Sequence, residues 1–184
     1  LVVAITSHGT MDKKDETLRR ELAQKGELIR AVRLPNQLFA VAGTDALSDL
    51  LIFRKREREL AADVPLPEWV HADRQEHTYY HGGEDITSEY YVNHYFMQHP
   101  ENILGTPSVQ RTAFGGAPYV DGHDGKALAE ELSSVLASLP AQTYQPSAQP
   151  LPIPKEEDAP EKNQPFGYYE KDGSIVYYSP QGEA

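Results

Sequence analysis

A chain of 184 residues suffices for one domain of ordinary size, but with 39% hydrophobic residues and a mean hydropathy of −0.57 its core must be concentrated in part of the sequence. Charge is uneven: residues 1–58 hold 11 of the 17 lysines and arginines but only 8 of the 28 acidic residues, so the remainder is strongly acidic and the formal net charge is −11. That balance excludes an autonomous nucleic-acid binder over the whole length; the absence of cysteine excludes disulfides and thiolate metal sites and fits a cytoplasmic location, and no apolar run approaches the roughly 18 residues of a membrane helix.

In chain order, Leu1 to Thr6 is a continuous apolar, β-branched run, expected as a strand buried on both faces of a parallel sheet. It begins without a lead-in, so the chain is expected to continue a larger domain on that side. A loop over Ser7–Met11 leads to a helix expected from Asp12 to Lys25, with Gly26 as its stop and Leu18 and Leu22 as its buried stripe. Glu27 to Leu34 reads as the next strand, ended by Pro35. Strand, helix and strand would make one right-handed βαβ unit. Asn36 to Thr44 forms a loop whose Gly43-Thr44 makes the turn into a third apolar strand, Asp49–Phe53. The basic run Arg54–Arg58 either meets phosphates or simply takes the chain from the sheet into water.

Beyond residue 58 the signals weaken. Residues 61–87 are polar and expected to be irregular; residues 88–99 read as a short helix with Tyr91, Val92, Tyr95 and Phe96 on its apolar face. A second helix is expected over 125–139, using Leu128, Leu132, Val135, Leu136 and Leu139, and is stopped by Pro140. Residues 140–165 read as a Pro-rich linker, and Tyr168–Tyr178 as a hairpin turning at Asp172-Gly173. The expected organisation is therefore an α/β core over 1–58, a mostly helical and irregular acidic extension over 59–139, a linker over 140–165 and a β-hairpin over 166–184.

The segment Ala4-Ile-Thr-Ser-His-Gly-Thr-Met-Asp-Lys-Lys-Asp15, followed by Leu28-Ile-Arg-Ala-Val-Arg-Leu-Pro-Asn-Gln-Leu-Phe39, Ala42-Gly-Thr44 and Asp49-Leu-Leu-Ile-Phe-Arg-Lys55, resembles the late part of N6-adenine DNA methyltransferases. The nearest class is that of large helicase-plus-methylase proteins of phages and mobile elements; the methylation subunits of type I restriction systems are more distant. Tyr95-Phe-Met-Gln-His-Pro-Glu-Asn-Ile-Leu-Gly105 resembles a segment downstream of the methylase core in the helicase-linked class. The resemblance implies the edge of a Rossmann-like class I methyltransferase sheet, in a bacterial or phage-infected cell, with S-adenosylmethionine as the intact parent's cofactor. DNA, the remainder of the methyltransferase domain and a helicase domain are its implied partners.

The family also needs a Gly-rich turn after an earlier strand and an Asn-Pro-Pro-aromatic turn that holds the flipped adenine. Ala113-Phe-Gly-Gly-Ala-Pro118 has the glycines but no apolar strand before it, and Asn163-Gln-Pro-Phe166 lies in the linker with Gln164 in place of a proline. The chain alone is therefore expected to be catalytically incomplete, with no catalytic, cofactor or metal residue assignable. Its site candidates are Phe39 and Asn36, where the family places an aromatic beside the target base; the alternative is that Phe39 plugs the core at the strand end. Of His71, His77 and His81, the last two are four apart, a spacing that could bind a metal on a helix, but Gly82-Gly83 breaks any helix and no His-Glu-x-x-His motif is present, so solvated histidines are expected. The competing functional reading is a non-catalytic docking module for a helicase or restriction-modification partner.

Overall fold

The computed structural model describes residues 1–144 apart from 62, 113, 114, 123, 124 and 142, together with the backbone of three strands within 167–183. Two compact units are present, Leu1–Tyr144 and Gln145–Ala184. The first is built on a three-stranded sheet of β1 (Val2–Ser7), β2 (Gly26–Leu34) and β3 (Ser48–Lys55). The order is β1-β3-β2, and β3 runs antiparallel to both neighbours. The α/β character expected from the sequence is present, but the adjacent parallel pair is not: β1 and β2 run the same way with β3 between them.

Both faces of β2 and β3 are apolar, and both are covered. On one face Ala31, Leu51 and Phe53 join Met11, Ala23, Trp69, Val70 and Phe96 in a buried cluster, with Phe53 and Trp69 edge to face at 5.6 Å. On the other, Val32 and Leu34 pack with Leu104 beneath Leu128, Leu132 and Val135 of helix α4 (Gly125–Ala137). Strand β1 departs from expectation. It is an edge strand, and Val2, Val3 and Ile5 are 55%, 57% and 56% exposed. Cross-strand partners share a face, so Val3 and Ile5 lie beside Ile52 and Leu50 on the α4 side while Val2 lies beside Phe53 on the other. Ala4 and Thr6, on the Val2 side, are half-buried, so the strand has the composition of a buried one but is covered only in part.

The expected helix over 12–25 is two: a single turn, α1 (Gly9–Asp12), and α2 (Thr17–Lys25). The Asp15 carboxylate accepts from the Thr17 amide and hydroxyl at 2.8 and 2.7 Å and sets the entry into α2. Leu18 faces solvent, and the buried residues of α2 are Arg19 and Ala23. Arg19 turns inward because its guanidinium donates to the carbonyls of Val70, Lys13 and Thr10, at 2.6, 2.7 and 3.5 Å, the last two being acceptors at the end of α1 and the first at the end of the 3₁₀ turn Glu68–Val70. Gly26 is extended and opens β2, not a left-handed helix stop.

The mostly helical and irregular extension is corrected more strongly. Residues 72–93 form a long hairpin, β4 (Ala72–His81) and β5 (Glu84–Asn93), and residues 106–121 form another, β6 (Thr106–Thr112) and β7 (Gly115–Asp121). The first turns at Gly82-Gly83, with φ of 64° and 96°, the two positive values that a tight two-residue hairpin turn demands. Arg74 pairs with Glu89 and Glu76 at 2.8 and 2.9 Å, and Thr78 with Thr87 at 2.8 Å, along its outer face. Of the helix expected over 88–99 only α3 (His94–Gln98) forms, capped by Asn93, whose side chain accepts from the Tyr95 amide. In the second unit β8 (Gly167–Lys171) and β9 (Ser174–Ser179) form the expected hairpin, extended by β10 (Gly182–Glu183); the Asp172-Gly173 turn and the linker beyond residue 144 lie outside the described residues.

Candidate functional site

Strands β1 and β2 both terminate at the same end of the sheet, beside the start of β3, where loop residues converge. After Ser7 the chain turns through His8, whose amide donates to the Leu47 carbonyl at 3.0 Å and ties the turn to the start of β3. Beneath it sits a buried ionic cluster. Arg33 of β2 donates through Nε and Nη2 to the two oxygens of Asp49 at 2.9 and 3.1 Å and meets Asp12 at 2.8 Å, with its guanidinium 4.0 Å over the Phe96 ring. All three charged side chains are at most 4% exposed. Burial works against the Arg33 charge, but the two carboxylates win and raise its pKa above the ordinary arginine value. Burial also pushes the Asp49 carboxyl upward, against the pull of Arg33. Asp12 further accepts from the Asn93 amide at 3.0 Å, and the Asn93 side chain donates to the carbonyls of Met11 and Trp69 at 2.7 and 2.9 Å. Five segments, around Asp12, Arg33, Asp49, Trp69 and Asn93, are thereby fixed against one another at this end of the sheet.

Two clefts open here. One, of about 350 Å³, runs from Ser7 and Gly9 along α2 past Thr17, Leu18 and Glu21. The other, of about 240 Å³, lies between the His8–Lys13 turn and the two hairpins, which contribute Tyr90 and Tyr91 from β5 and Gly116, Ala117 and Pro118 from β7. The hairpins are joined by the Gly116 amide donating to Ser88 Oγ at 2.8 Å.

The two site residues expected from the sequence lie at the end of β2 but line neither cleft. Asn36 is buried, and its side-chain oxygen accepts from the Val120 amide at 2.9 Å, so it anchors the second hairpin to the sheet. Phe39 is half-buried on a 3₁₀ helix (Asn36–Ala42) that ends at left-handed Gly43, and it belongs to neither buried cluster. His71, His77 and His81 do not converge. His71 meets Glu16 at 2.9 Å, His77 stacks on Tyr79 and His81 contacts Arg111. No group of three or more potential metal ligands occurs among the described residues. In the basic run, Arg54 pairs with Glu27 at 2.7 Å and Arg56 donates to the Ala23 carbonyl at 3.1 Å.

The described residues do not fit S-adenosylmethionine by themselves. The turn after β1 is Ser7-His8-Gly9 and that after β2 is Leu34-Pro35-Asn36, and neither is a Gly-rich approach to a cofactor. Of Ala113–Pro118, the part from Gly115 onward is strand β7; Asn163–Phe166 lies outside the described residues. Among the described residues no helix is long and apolar enough to cross a membrane. No protein-family model, no curated protein and no solved structure matches the chain.

Sequence reasoning missed the second cleft. Its hairpin residues come from segments read as irregular or helical, and the signal that would have found the first hairpin is Gly82-Gly83 between two Thr- and Tyr-containing stretches.

Proposed function

We propose that this chain is the late part of an S-adenosylmethionine-dependent adenine-N6 DNA methyltransferase domain, catalytically incomplete on its own. The observation that carries the reading is strand β1: apolar, with Val2, Val3 and Ile5 more than half exposed, and at the open edge of a sheet whose other strands are covered by helices on each side. Such a strand calls for a further strand and further helices, as in the doubly wound α/β class. An antiparallel strand near the margin of an otherwise parallel sheet suits that class too. In open α/β sheets ligands bind beyond the carboxyl ends of the strands, where this chain places both clefts, Phe39 and the buried Arg33 cluster. Phe39, free of both core clusters, remains the residue proposed to lie against the target adenine.

The test is methyl transfer by the product of the complete reading frame that contains this chain, supplied with radiolabelled S-adenosylmethionine and DNA. Label is expected in N6-methyladenine, and Phe39→Ala is expected to lower the rate by roughly tenfold or more, the scale of a lost base–aromatic stack, without shifting the melting temperature. Absence of label from DNAs of varied sequence would overturn the reading. The same open edge also favours a second reading, a docking module for a helicase or restriction-modification partner, since unpaired strands recruit partner strands. Under that reading the complete product binds its partner and transfers no methyl group.

A further inference from the structure

The cleft between the His8–Lys13 turn and the two hairpins has two kinds of wall. Tyr90, on the same face of β5 as Ser88, and Pro118 of β7 offer largely apolar surface from strands held together by the Gly116–Ser88 hydrogen bond; Tyr91 follows on the opposite face of β5. The opposite wall carries His8 and Lys13. Lys13 is exposed and makes no salt bridge among the described residues, whereas Asp12, the acid of this wall, is buried and occupied by Arg33 and the Asn93 amide. A volume of about 240 Å³ lies below the usual range of roughly 300–1,000 Å³ for small-molecule pockets and suits one ring system with its substituent. Aromatic surface for a neutral ring beside a cation that makes no salt bridge among the described residues, its charge felt only at longer range by Asp15, is the composition that single-stranded nucleotide sites use: stacking for the base, charge for the phosphate.

We infer that this cleft holds one nucleotide, its base against the Tyr90 and Pro118 wall and its phosphate toward Lys13. The ligand class draws on the methyltransferase reading, but the site is separate from Phe39, so the cleft would hold a nucleotide of the DNA strand beside the target adenine. The walls are set before any ligand arrives. The Arg33–Asp12–Asn93 links fix the turn relative to β5, and the Asn36–Val120 bond fixes β7 relative to the sheet. Little ordering is left to oppose binding.

The experiment titrates the full 184-residue chain with deoxyadenosine monophosphate, deoxyadenosine, inorganic phosphate and a single-stranded oligodeoxynucleotide, following backbone and histidine-ring resonances. Deoxyadenosine monophosphate is expected to shift His8 and the amides of Tyr90, Tyr91 and Ala117. Tyr90→Ala is expected to weaken it by roughly tenfold or more. Lys13→Gln, at an exposed position that leaves the fold alone, is expected to weaken the monophosphate and not the nucleoside. A tighter oligodeoxynucleotide complex identifies DNA as the source; equal affinities identify the free nucleotide. No shift at these residues with millimolar monophosphate, or shifts indifferent to Lys13→Gln, would overturn the inference. Methyl transfer by the complete product is read separately. Its absence with binding retained removes only the proposed function, and its presence with binding lost removes only this site.

Discussion

At the scale of single residues, charge at this protein's interior is used for position. Arg33 and Arg19 are both buried, yet they are handled differently. Arg33 is neutralised by two carboxylates, whereas Arg19 spends its donors on backbone carbonyls, and burial lowers its pKa below the ordinary arginine value. On the surface His94 holds a clasp: Nδ1 lies 3.0 Å from Glu68 and Nε2 3.0 Å from Asp73, with His71 at 5.8 Å between ring centres and Glu16 beyond it. Asp73 first, then Glu68, raise the His94 pKa above its ordinary 6.5 against the opposing effect of burial. A raised folded-state pKa stabilises the fold fully below pH 6.5, and the contribution disappears as pH rises through the folded value. The wild-type chain should therefore lose more thermal stability between mildly acidic and mildly alkaline buffer than His94→Gln does. Parallel melting curves across that range for the two proteins would contradict the clasp.

At the scale of elements, the hairpin β6–β7 is seated by one glycine. Gly105, just before β6, has φ of 132°, and a Cβ there would run into the Asp121 carbonyl oxygen and lie 2.8 Å from Val120 Cγ1. Gly105→Ala should cost at least about 1–3 kcal/mol, the scale of a strained backbone position, read as a lower urea midpoint. Gly82, with φ of 64° but open space around it, should tolerate alanine better. Equal losses at the two positions would show that backbone angle alone, not the close approach to β7, governs Gly105.

The same elements show what the sequence made legible. Strands β2 and β3 and helix α4 carry dense apolar runs or a clear stripe, and each was found within a few residues. Strand β4 was not, because its inward side chains include Gln75, His77 and Tyr79, so a period of two exists without a contrast in hydrophobicity. Arg19 was missed for the converse reason: a charged residue on the buried stripe of α2 is invisible to any hydrophobic pattern. At the candidate site the Asn36 position was legible as the end of β2, but its hydrogen bond to Val120 joins residues from opposite ends of the first unit and has no local signature.

At the scale of the molecule, the open margin at β1 governs behaviour in solution. An exposed, apolar edge strand with one open side is a template for association. The chain is expected to self-associate when purified alone, and Ile5→Lys should return the mass measured by light scattering toward that of a monomer. Because Ile5 is more than half exposed, the substitution should change stability by no more than about 0.5 kcal/mol. Self-association unchanged by Ile5→Lys would place the sticky surface elsewhere.

The order β1-β3-β2 also dictates a sequence of events during synthesis. The middle strand is the last of the three to leave the ribosome, so β1 and β2 both emerge before the strand that pairs with each of them. The β2–β3 pairing is closed by a short connection, but Val2 must wait for Phe53, and such non-local pairing is intrinsically slow. At a synthesis rate of about 5–20 residues per second, β1 waits seconds for β3. Pairing of β3 with both neighbours should therefore become possible only once Lys55 has cleared the exit tunnel, as protease protection of stalled nascent chains of increasing length would show.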